Sequence, residues 1–459
     1  MKRGKKFLIL LAVLAVLLGA VAAAPLLTPD TQPVEEPEPV TVFTLDAAAL
    51  TGISWTVEEE TLSFGIGDDG WYYTEDQAFP TDGSLLEEMK AALQEIVAEK
   101  VIDVPEALEN YGLLRPACTV TVAAGEKTWQ LQMGDKSAVD GLRYLSVGDG
   151  KVYLVDNALY SSFEHGLYDL VAYEELPVLE GISKCAVETP EQTLVLEYLE
   201  NSGIAYSDSY VWFAREGEQL LAADTELTES FLSAISGFAW GDCVEYNAED
   251  AALEDYGLQN PAVCVTLNYG KTEETPEQAF SVEMGVTADG CFARLPGSRM
   301  VYGIDQTLAE GLLYSTYAEL QPDEVLLLDW DTVQTVAIEL EGERYEFARQ
   351  LKEVTDGDGN TTNEPVYLLD GEEMALQDIL DTVTAMASTG YANDAAPQRN
   401  PELQLVISTT NEAFPEIRLT FCRHDSSSCL VQLNGASTLF VSREDVVALK
   451  EAITALVLD

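Results

Sequence analysis

Histidine is scarce in this chain, with only His165 and His424 among 459 residues. Catalysis by a nucleophile and a base usually needs a histidine or a similar group to accept the proton. His165 lies in a predicted helix. His424 lies in a polar turn beside Asp425, and adjacent residues in a turn do not give the geometry of a triad. We therefore expect a protein that is not an enzyme, with no catalytic residue and no cofactor.

Positive charge is also scarce. The chain has 24 lysines and arginines against 80 acidic residues, a net charge of −56. Such a surface repels the phosphates of nucleic acids and the head groups of anionic lipids, so we expect no nucleic-acid partner. It favours solubility and contact with cations or basic patches on proteins. Because close carboxylate pairs arise by accident among so many acids, no glycosidase pair is identifiable from the sequence.

The cysteines number seven and include no C-x-x-C pair. The odd number and low density argue against a disulfide scaffold, and the spacing argues against a close-spaced zinc or redox site. Cys422 and Cys429 flank a predicted hairpin turn at 423–428, where the pattern leaves a disulfide open.

The beginning of the chain has the pattern of an export signal. Four of the first six residues are basic, and an apolar run follows from Phe7. The run to Leu27 reaches the ~20 residues that span a bilayer, which favours an uncleaved anchor at 1–27 with the bulk of the chain outside the cytoplasm. Ala22–Ala24 resemble a cleavage site, so secretion after cleavage is the alternative. Residues 28–50, rich in proline and glutamate, are predicted to be a stiff spacer.

A duplication is the most specific pattern in the chain. Residues 107–117 and 252–262 are identical at eight of eleven positions, 145 residues apart. An amphipathic helix precedes each copy, and strands with hairpin turns and a closing helix, at 157–170 or 306–320, follow it. Ser84 and Glu87 have the spacing of a capping box at the start of the first of these helices.

The repeats predict an α+β fold. We expect three tandem antiparallel sheets with helices packed on one face, behind an N-terminal transmembrane helix. The predicted repeats are 51–178, 179–322 and a diverged third repeat, 323–459, which lacks the Tyr-Gly-Leu element. At this length each repeat is large enough to have its own core.

These motifs resemble the bacterial "domain of unknown function 4340" proteins. The resemblance rests on Tyr-Gly-Leu-x-x-Pro before a strand, the Gly-Trp-Tyr-Tyr strand start and the Met-Gly-Asp segment, over roughly residues 50–322. It implies a membrane-anchored extracytoplasmic protein without an established activity. It also implies an envelope protein as partner, since some members resemble partners of ABC-type exporters. The oligomeric state is not predicted.

Two aromatic segments are candidates for a ligand or partner face. These are Trp71 and Tyr73 in the first repeat and Tyr210 and Trp212 in the second. Alternate residues of a strand face opposite sides, so we expect one residue of each segment in the core and another on an exposed face.

The duplicated motif itself is interpreted as structural. It comprises Tyr111, Gly112, Leu113 and Pro116 in the first repeat, and Tyr256, Gly257, Leu258 and Pro261 in the second. We expect the glycine to adopt a positive φ, the leucine to fill the core, and the proline to lead into an edge strand.

Asp356, Asp358 and Asn360 resemble the start of a calcium loop. The EF-hand pattern requires a glycine at its sixth position and a glutamate at its twelfth, where this chain has Thr361 and Tyr367. A hairpin tip is therefore the favoured interpretation, and these residues are only weak metal candidates.

Two functions remain after these exclusions. The first is an anchored, acidic, multidomain scaffold that docks on a partner at the cell envelope. The second is a protein that binds or hydrolyses wall polymers or peptides, which predicts a deep pocket with converging carboxylates of raised pKa.

Overall fold

The structure is a computed structural model that describes residues 38–57, 60–201, 203–272, 274–355, 361–392 and 395–458. The predicted anchor at 1–27 and the calcium candidates Asp356, Asp358 and Asn360 lie outside these residues. Within them, no helix has the length and apolar character needed to cross a membrane. The chain divides into two compact units, the first ending at Tyr173 and the second beginning at Glu174.

The first unit contains one antiparallel sheet of nine strands. The strands are β1 (Val40–Thr44), β2 (Leu50–Val57), β3 (Glu60–Gly67), β4 (Gly70–Tyr73), β5 (Glu95–Ile102), β6 (Cys118–Ala124), β7 (Lys127–Lys136), β8 (Arg143–Ser146) and β9 (Val152–Val155). Their order across the sheet is β1-β5-β9-β8-β7-β6-β2-β3-β4.

The predicted spacer is too long at its C-terminal end. Val40–Thr44 forms an edge strand on β5, and β2 begins at Leu50, so the first sheet starts within 28–50. The sequence Val-Thr-Val-Phe-Thr has no regular alternation of apolar and polar residues, and its pairing with β5 shifts register between Thr41 and Phe43. The prolines that indicated a stiff spacer end at Pro39, and this short segment carries too little strand signal beside them.

The second unit contains two more sheets of nine strands each. The second sheet has β10 (Lys184–Glu188), β11 (Thr193–Tyr198), β12 (Trp212–Glu216), β13 (Gln219–Ala223), β14 (Cys243–Glu245), β15 (Val263–Tyr269), β16 (Gln278–Val286), β17 (Cys291–Arg294) and β18 (Val301–Gly303). The third has β19 (Val333–Leu340), β20 (Glu343–Thr355), β21 (Thr361–Leu369), β22 (Glu372–Met374), β23 (Ser388–Tyr391), β24 (Pro401–Thr409), β25 (Glu416–Arg423), β26 (Ser428–Leu433) and β27 (Ala436–Ser442).

The three sheets share one topology over eight strands. A hairpin segment, β2–β4 in the first sheet, is followed by a helix that leads to the far side of the sheet, where β5 pairs with β9. The meander β6–β9 then fills the space between, because β6 pairs with β2. The ninth strand differs: β1 lies beside β5, whereas β13 and β22 extend the opposite edge of their sheets. The predicted α+β architecture of repeated antiparallel sheets is confirmed.

Short helices accompany each sheet. They are α1 (Gly83–Ala92), α2 (Ala158–Ser161), α3 (Thr225–Ser236), α4 (Asp250–Asp255), α5 (Gln306–Leu313), α6 (Leu376–Thr384) and α7 (Arg443–Leu458). The described chain also has 3₁₀ turns at Leu108–Tyr111, Leu167–Leu170, Tyr317–Glu319 and Trp330–Thr332.

Two helix predictions differ from the structure. The predicted closing helices 157–170 and 306–320 are each a short α-helix followed by a separate 3₁₀ turn, since Gly166 and Thr316 are extended. The prediction of a capping box formed by Ser84 and Glu87 was wrong. Asp82 is the N-cap of α1, and its carboxylate accepts a hydrogen bond from the Ser84 backbone N–H.

The main cores lie between these helices and one face of each sheet. In the third repeat, Ile379 and Val383 of α6 and Leu449 of α7 pack with central-strand residues such as Leu405 and Phe421. Central strands alternate buried and half-buried residues, as in Cys118–Ala124. Each sheet therefore has an inner face covered by helices and an outer face turned away from them.

The second and third repeats interlock within the second unit. The ring of Tyr206 packs on Phe414 with centroids 4.7 Å apart, against the core of the third repeat. Ser207 Oγ donates a hydrogen bond of 2.8 Å to Asp329, and Tyr391 Oη donates one of 2.7 Å to the Gln321 carbonyl. These contacts explain why the two sheets belong to one unit.

Candidate functional site

The Tyr-Gly-Leu motif joins two segments of each repeat at a glycine-to-backbone contact. Gly112 and Gly257 adopt φ of 70° and 68°, as expected. A Cβ on Gly134 would overlap the carbonyl oxygen of Tyr111, and the same holds for Gly285 and Tyr256. The Met-Gly segment must therefore carry glycine so that the motif can lie against it.

The motif leucines are buried, but not in the main core. Leu258 is 0% exposed and packs in a separate cluster with Leu253 and Val301, on the outer side of the sheet. Leu113, 3% exposed, contacts Gly134, which alternates with the inner-face residue Met133. The motif thus covers one end of the outer face, and its leucines are buried there rather than in the main core, where they had been expected.

The prolines do not lead into edge strands. Pro116 and Pro261 precede β6 and β15, which are central strands of their sheets. Because both prolines lie before the first paired residue, their missing N–H removes no hydrogen bond from the sheet.

The third repeat fills the same place differently. Pairing aligns Cys422 with Gly134 and Gly285, and Cys422 packs with Leu430 and Ala392 where the motif is lost. Cys429 lies in the main core on the opposite face. The two thiols are unbridged, because they project from opposite faces of the sheet.

In the first aromatic segment, the residue on the outer face is Tyr72 rather than Trp71 or Tyr73. Tyr73 is buried against Phe64 and Phe79. Trp71, two residues away, lies on the same side and donates a hydrogen bond of 2.7 Å from Nε1 to Glu87 of α1. Tyr72, between them, lies on the outer face and is half-buried.

The second aromatic segment does not form an exposed face either. Trp212 is buried in the main core, and Tyr210, just before β12, is half-buried. Burial, with Glu324 and Asp224 nearby, raises the pKa of Tyr210. Phe213 pairs in the register of Tyr72 and is fully buried.

The uncovered part of the outer face of the first sheet is the strongest candidate site. We call it the neutral face, and it spans β4, β3, β2, β6 and β7. Strand register places these residues on it: Tyr72, Gly65, Ser63, Thr61, Gly52, Ser54, Thr56, Ala123, Thr121, Thr119, Thr128, Gln130 and Gln132. None of them carries a charge, although the chain as a whole has a net charge of −56.

The register forms rows of hydroxyl and amide groups across the neutral face. Ser63 pairs with Ser54, Ser54 with Thr121, and Thr121 with Gln130. In the next row Thr56 pairs with Thr61, with their hydroxyl oxygens 3.3 Å apart. Thr61 and Gln130 are exposed. The other residues of the two rows, Thr56, Ser63, Ser54 and Thr121, are half-buried.

A tyrosine ring lies across one edge of this surface. A Cβ on Gly65 would be 2.6 Å from both Cζ and Oη of Tyr72, and one on Gly67 would be 3.5 Å from Cε1. The ring therefore lies over the backbone of β3 in space that only glycine leaves free.

The second sheet carries charges at the corresponding positions. Where the first sheet has Gly65 and Gly52, the second has Glu197 and Lys184, with Nζ and Oε1 3.2 Å apart. Arg215 adds a bidentate pair with Glu197 at 3.0 and 2.6 Å, and these contacts, led by that of Arg215, lower the pKa of Glu197.

The third sheet is charged as well. Arg344 contacts Glu339 at 2.7 Å and Glu346 at 3.5 Å, and Arg418 contacts Glu416 at 2.9 Å. The residues named for the neutral face carry no charge, whereas the outer faces of the second and third sheets carry these ion pairs.

The sequence analysis missed Tyr72 and its glycines. The signal was present, because Thr-Gly-Ile-Ser-Trp-Thr and Thr-Leu-Ser-Phe-Gly alternate large apolar residues with small uncharged ones. The prediction considered only the large residues of each alternating segment, although the small residues between them are all uncharged.

The remaining candidates do not assemble a site. His165 Nδ1 lies 3.7 Å from Asp169, and the ring of His424 packs on Phe440. Asp425 accepts hydrogen bonds from Ser427 and Ser428, which lower its pKa to about 2. In the described part of the chain, no three histidine, cysteine or acidic side chains are grouped so that they could hold a metal ion.

Comparison with known proteins gives one family. The family model described as "Domain of unknown function (DUF4340)" matches residues 71–239 and 212–404. No curated protein matches the chain. A solved structure described as a Ca2+-stabilized adhesin that helps an Antarctic bacterium bind ice aligns at 9% identity and a TM-score of 0.08, over 87% of this chain and 92% of its own. A score this low carries no argument about fold or function.

Proposed function

The chain belongs to the family described as domain of unknown function (DUF4340), and we propose that it is a membrane-anchored, extracytoplasmic interaction protein rather than an enzyme. Its apolar start, Phe7–Leu27, would hold it in the membrane with the bulk of the chain outside the cytoplasm. The neutral face of the first repeat would be a ligand-binding surface. The acidic surface of the second and third repeats would contact its partner, a protein complex of the envelope such as an ABC-type exporter.

The difference between the three related outer faces carries this proposal. In the second and third repeats, ion pairs such as Glu197–Arg215 and Glu339–Arg344 satisfy the charges of the face within the face itself. The first repeat instead presents hydroxyl and amide groups and one tyrosine ring. The rest of the chain is strongly acidic and would attract cationic ligands. An uncharged surface within it is therefore suited to a ligand without charge.

The interlocked second and third repeats support a scaffold. At their junction the half-buried Tyr206 packs on Phe414 and Ser207 bonds to Asp329, so the two sheets would act as one body. The acidic surface of this body would contact basic patches on the partner complex.

Crosslinking in the native host tests the role of the neutral face. A photo-crosslinking residue at position 63 lies on this face, and one at position 195 occupies the same register in the second sheet. We expect crosslinked products from position 63 that position 195 does not give. Equal patterns from the two positions would contradict the proposal.

Topology in the same cells tests the anchor. If the start is retained, the mature protein begins at or near Met1 and remains in the membrane fraction after a high-salt wash. External protease should then degrade the chain in spheroplasts. A mature protein that begins after Ala24 and is found in the medium would support secretion instead.

A further inference from the structure

We infer that the neutral face of the first sheet binds an uncharged polysaccharide chain. This inference rests on the proposed function, in which that face is the binding surface, and it adds the chemical class of the ligand. The juxtaposition that carries it is an array of serine, threonine and glutamine side chains beside a tyrosine ring that packs against the backbone of two glycines.

The hydrogen-bonding groups of the face match those of a neutral sugar. Each serine or threonine hydroxyl offers one donor and two acceptor lone pairs, and each glutamine amide offers both donors and an acceptor. Ser63, Ser54, Thr121 and Gln130 follow one another across four strands, which are spaced ~4.8 Å apart in a sheet. Such a row can exchange hydrogen bonds with successive hydroxyls of an extended polymer.

Charge argues against other polymers. An anionic chain would be repelled by a protein with a net charge of −56 and would find no cation on the neutral face to pair with. A cationic chain would be drawn to the acidic surroundings, but the neutral face offers it no carboxylate. An uncharged chain is not repelled by the acidic protein, and it needs no charged partner on the neutral face.

The face also lacks what a protein interface needs. Interface cores are enriched in aromatic residues, methionine and arginine, and a few buried anchors carry most of the binding energy. Apart from Tyr72, the neutral face has only small or polar uncharged residues, among them Ala123 and Thr121. A protein docked here would have to form hydrogen bonds to all these polar groups, and it would find no hydrophobic anchor to contribute binding energy.

Tyr72 supplies the apolar element of the site. Its ring packs against the backbone at Gly65 and Gly67 and remains half-buried. Phe213, in the same register of the second sheet, is fully buried. A partly exposed aromatic ring can pack on the apolar face of a sugar, and its hydroxyl can join the adjacent polar row.

Affinity gel electrophoresis of the full-length, detergent-solubilised protein tests the inference. The probes are three uncharged polysaccharides (dextran, mannan and a soluble β-glucan) and two anionic ones (hyaluronate and polygalacturonate). We expect retardation by at least one uncharged polymer and by neither anionic one. Binding should weaken about tenfold, which corresponds to ~1.4 kcal/mol, in Tyr72→Ala and in Thr121→Lys.

A matched control lies in the second sheet. Thr266 has the register of Thr121 and also lies on a central strand, so Thr266→Lys should leave retardation unchanged. Tyr72→Phe keeps the ring and should retain most of the binding even if Tyr72→Ala does not fold. Circular dichroism establishes that each variant is folded.

The outcomes separate this inference from the proposed function. No retardation by any uncharged polymer, or equal retardation of Thr121→Lys and Thr266→Lys, overturns the polysaccharide inference. If position 63 then still crosslinks a single protein that Thr121→Lys releases, the neutral face is a protein-binding surface and only the ligand class was wrong. If that crosslink is also absent, both proposals fail.

Discussion

Among single residues, the glycines of the Met-Gly segments have the least freedom to change. A Cβ on Gly134 or Gly285 would overlap a carbonyl oxygen of the Tyr-Gly-Leu motif. We predict that Gly134→Ala and Gly285→Ala each lower the free energy of unfolding by ~1–3 kcal/mol, the usual cost of overpacking. Thermal unfolding followed by circular dichroism measures the change.

Gly311 is the matched control for these substitutions. It lies within α5, and a Cβ there would meet no atom within 4 Å. Alanine favours a helix by ~0.5–1 kcal/mol over glycine, so Gly311→Ala should stabilise the protein slightly. Destabilisation by all three substitutions alike would contradict the close contact.

Single residues also show the limit of sequence reasoning at the site. The period of two in Trp71-Tyr72-Tyr73 was recognised, but size led to Trp71 and Tyr73 as the candidates for an exposed face. Trp71 is held by a hydrogen bond to Glu87, and this contact with a helix was not predictable from the strand alone. Strand alternation turns Tyr72 outward, and Gly65, its partner across the β3–β4 hairpin, leaves room for its ring.

Among the elements, helix α1 separates the sequence prediction from the structure. Asp82, not Ser84, accepts the capping hydrogen bond. We predict that Asp82→Ala costs ~1 kcal/mol of stability, while Ser84→Ala, an exposed substitution, changes it by less than ~0.5 kcal/mol. The reverse order in a thermal unfolding experiment would restore the capping box at Ser84 and Glu87.

We predict that Glu324, in the segment that joins the second and third repeats, makes the stability of the fold depend on pH. Burial, reinforced by Asp224 and Asp323, raises the pKa of Glu324, and its Oε2 is buried without a hydrogen-bond partner among the described residues. A carboxyl with a raised folded-state pKa stabilises the fold when protonated, and this stability is lost as pH rises through that pKa. Tyr210 and Tyr391 also face this group.

Glu324→Gln tests this effect. The amide removes the buried charge, so we predict a higher melting temperature at neutral pH. The gain should vanish below the pKa of an ordinary glutamic acid, where both proteins are uncharged at this position. The exposed Glu412→Gln serves as control and should show no such trend; an identical gain at every pH would exclude burial of charge as the cause.

The regular elements were largely predictable, and the irregular ones were not. Alternation in Cys118–Ala124 and Val263–Tyr269 predicts half-covered strands, and the structure has them. Strand β1 and the division of 157–170 into two short pieces depend on pairing with β5 and on the extended backbone of Gly166. The local periodicity of the sequence therefore does not predict strand β1 or the break at Gly166.

For the whole molecule, the duplication allowed the repeated sheets to be predicted, while their grouping required the structure. Repeat boundaries do not show that Tyr206 packs on Phe414 or that Tyr391 bonds to Gln321. The neutral face likewise appears only when β2, β3, β6 and β7 are placed side by side, because its residues come from separate segments.

The second unit should fold without the first. We predict that a fragment from Glu174 to Asp459 unfolds in one cooperative transition, since its two sheets share the contacts of Tyr206 and Ser207. Calorimetry of the fragment measures this. Two separate transitions would show that the second and third repeats are independent domains.

If the neutral face is a binding surface, it is occupied in the cell. Hydroxyl-radical footprinting of Tyr72 in native envelopes and in the purified protein measures this occupancy, with Tyr314, 70% exposed, as internal reference. We predict that Tyr72 is protected in envelopes relative to the purified protein, while Tyr314 is labelled equally in both. Equal labelling of Tyr72 in the two samples would contradict the claim.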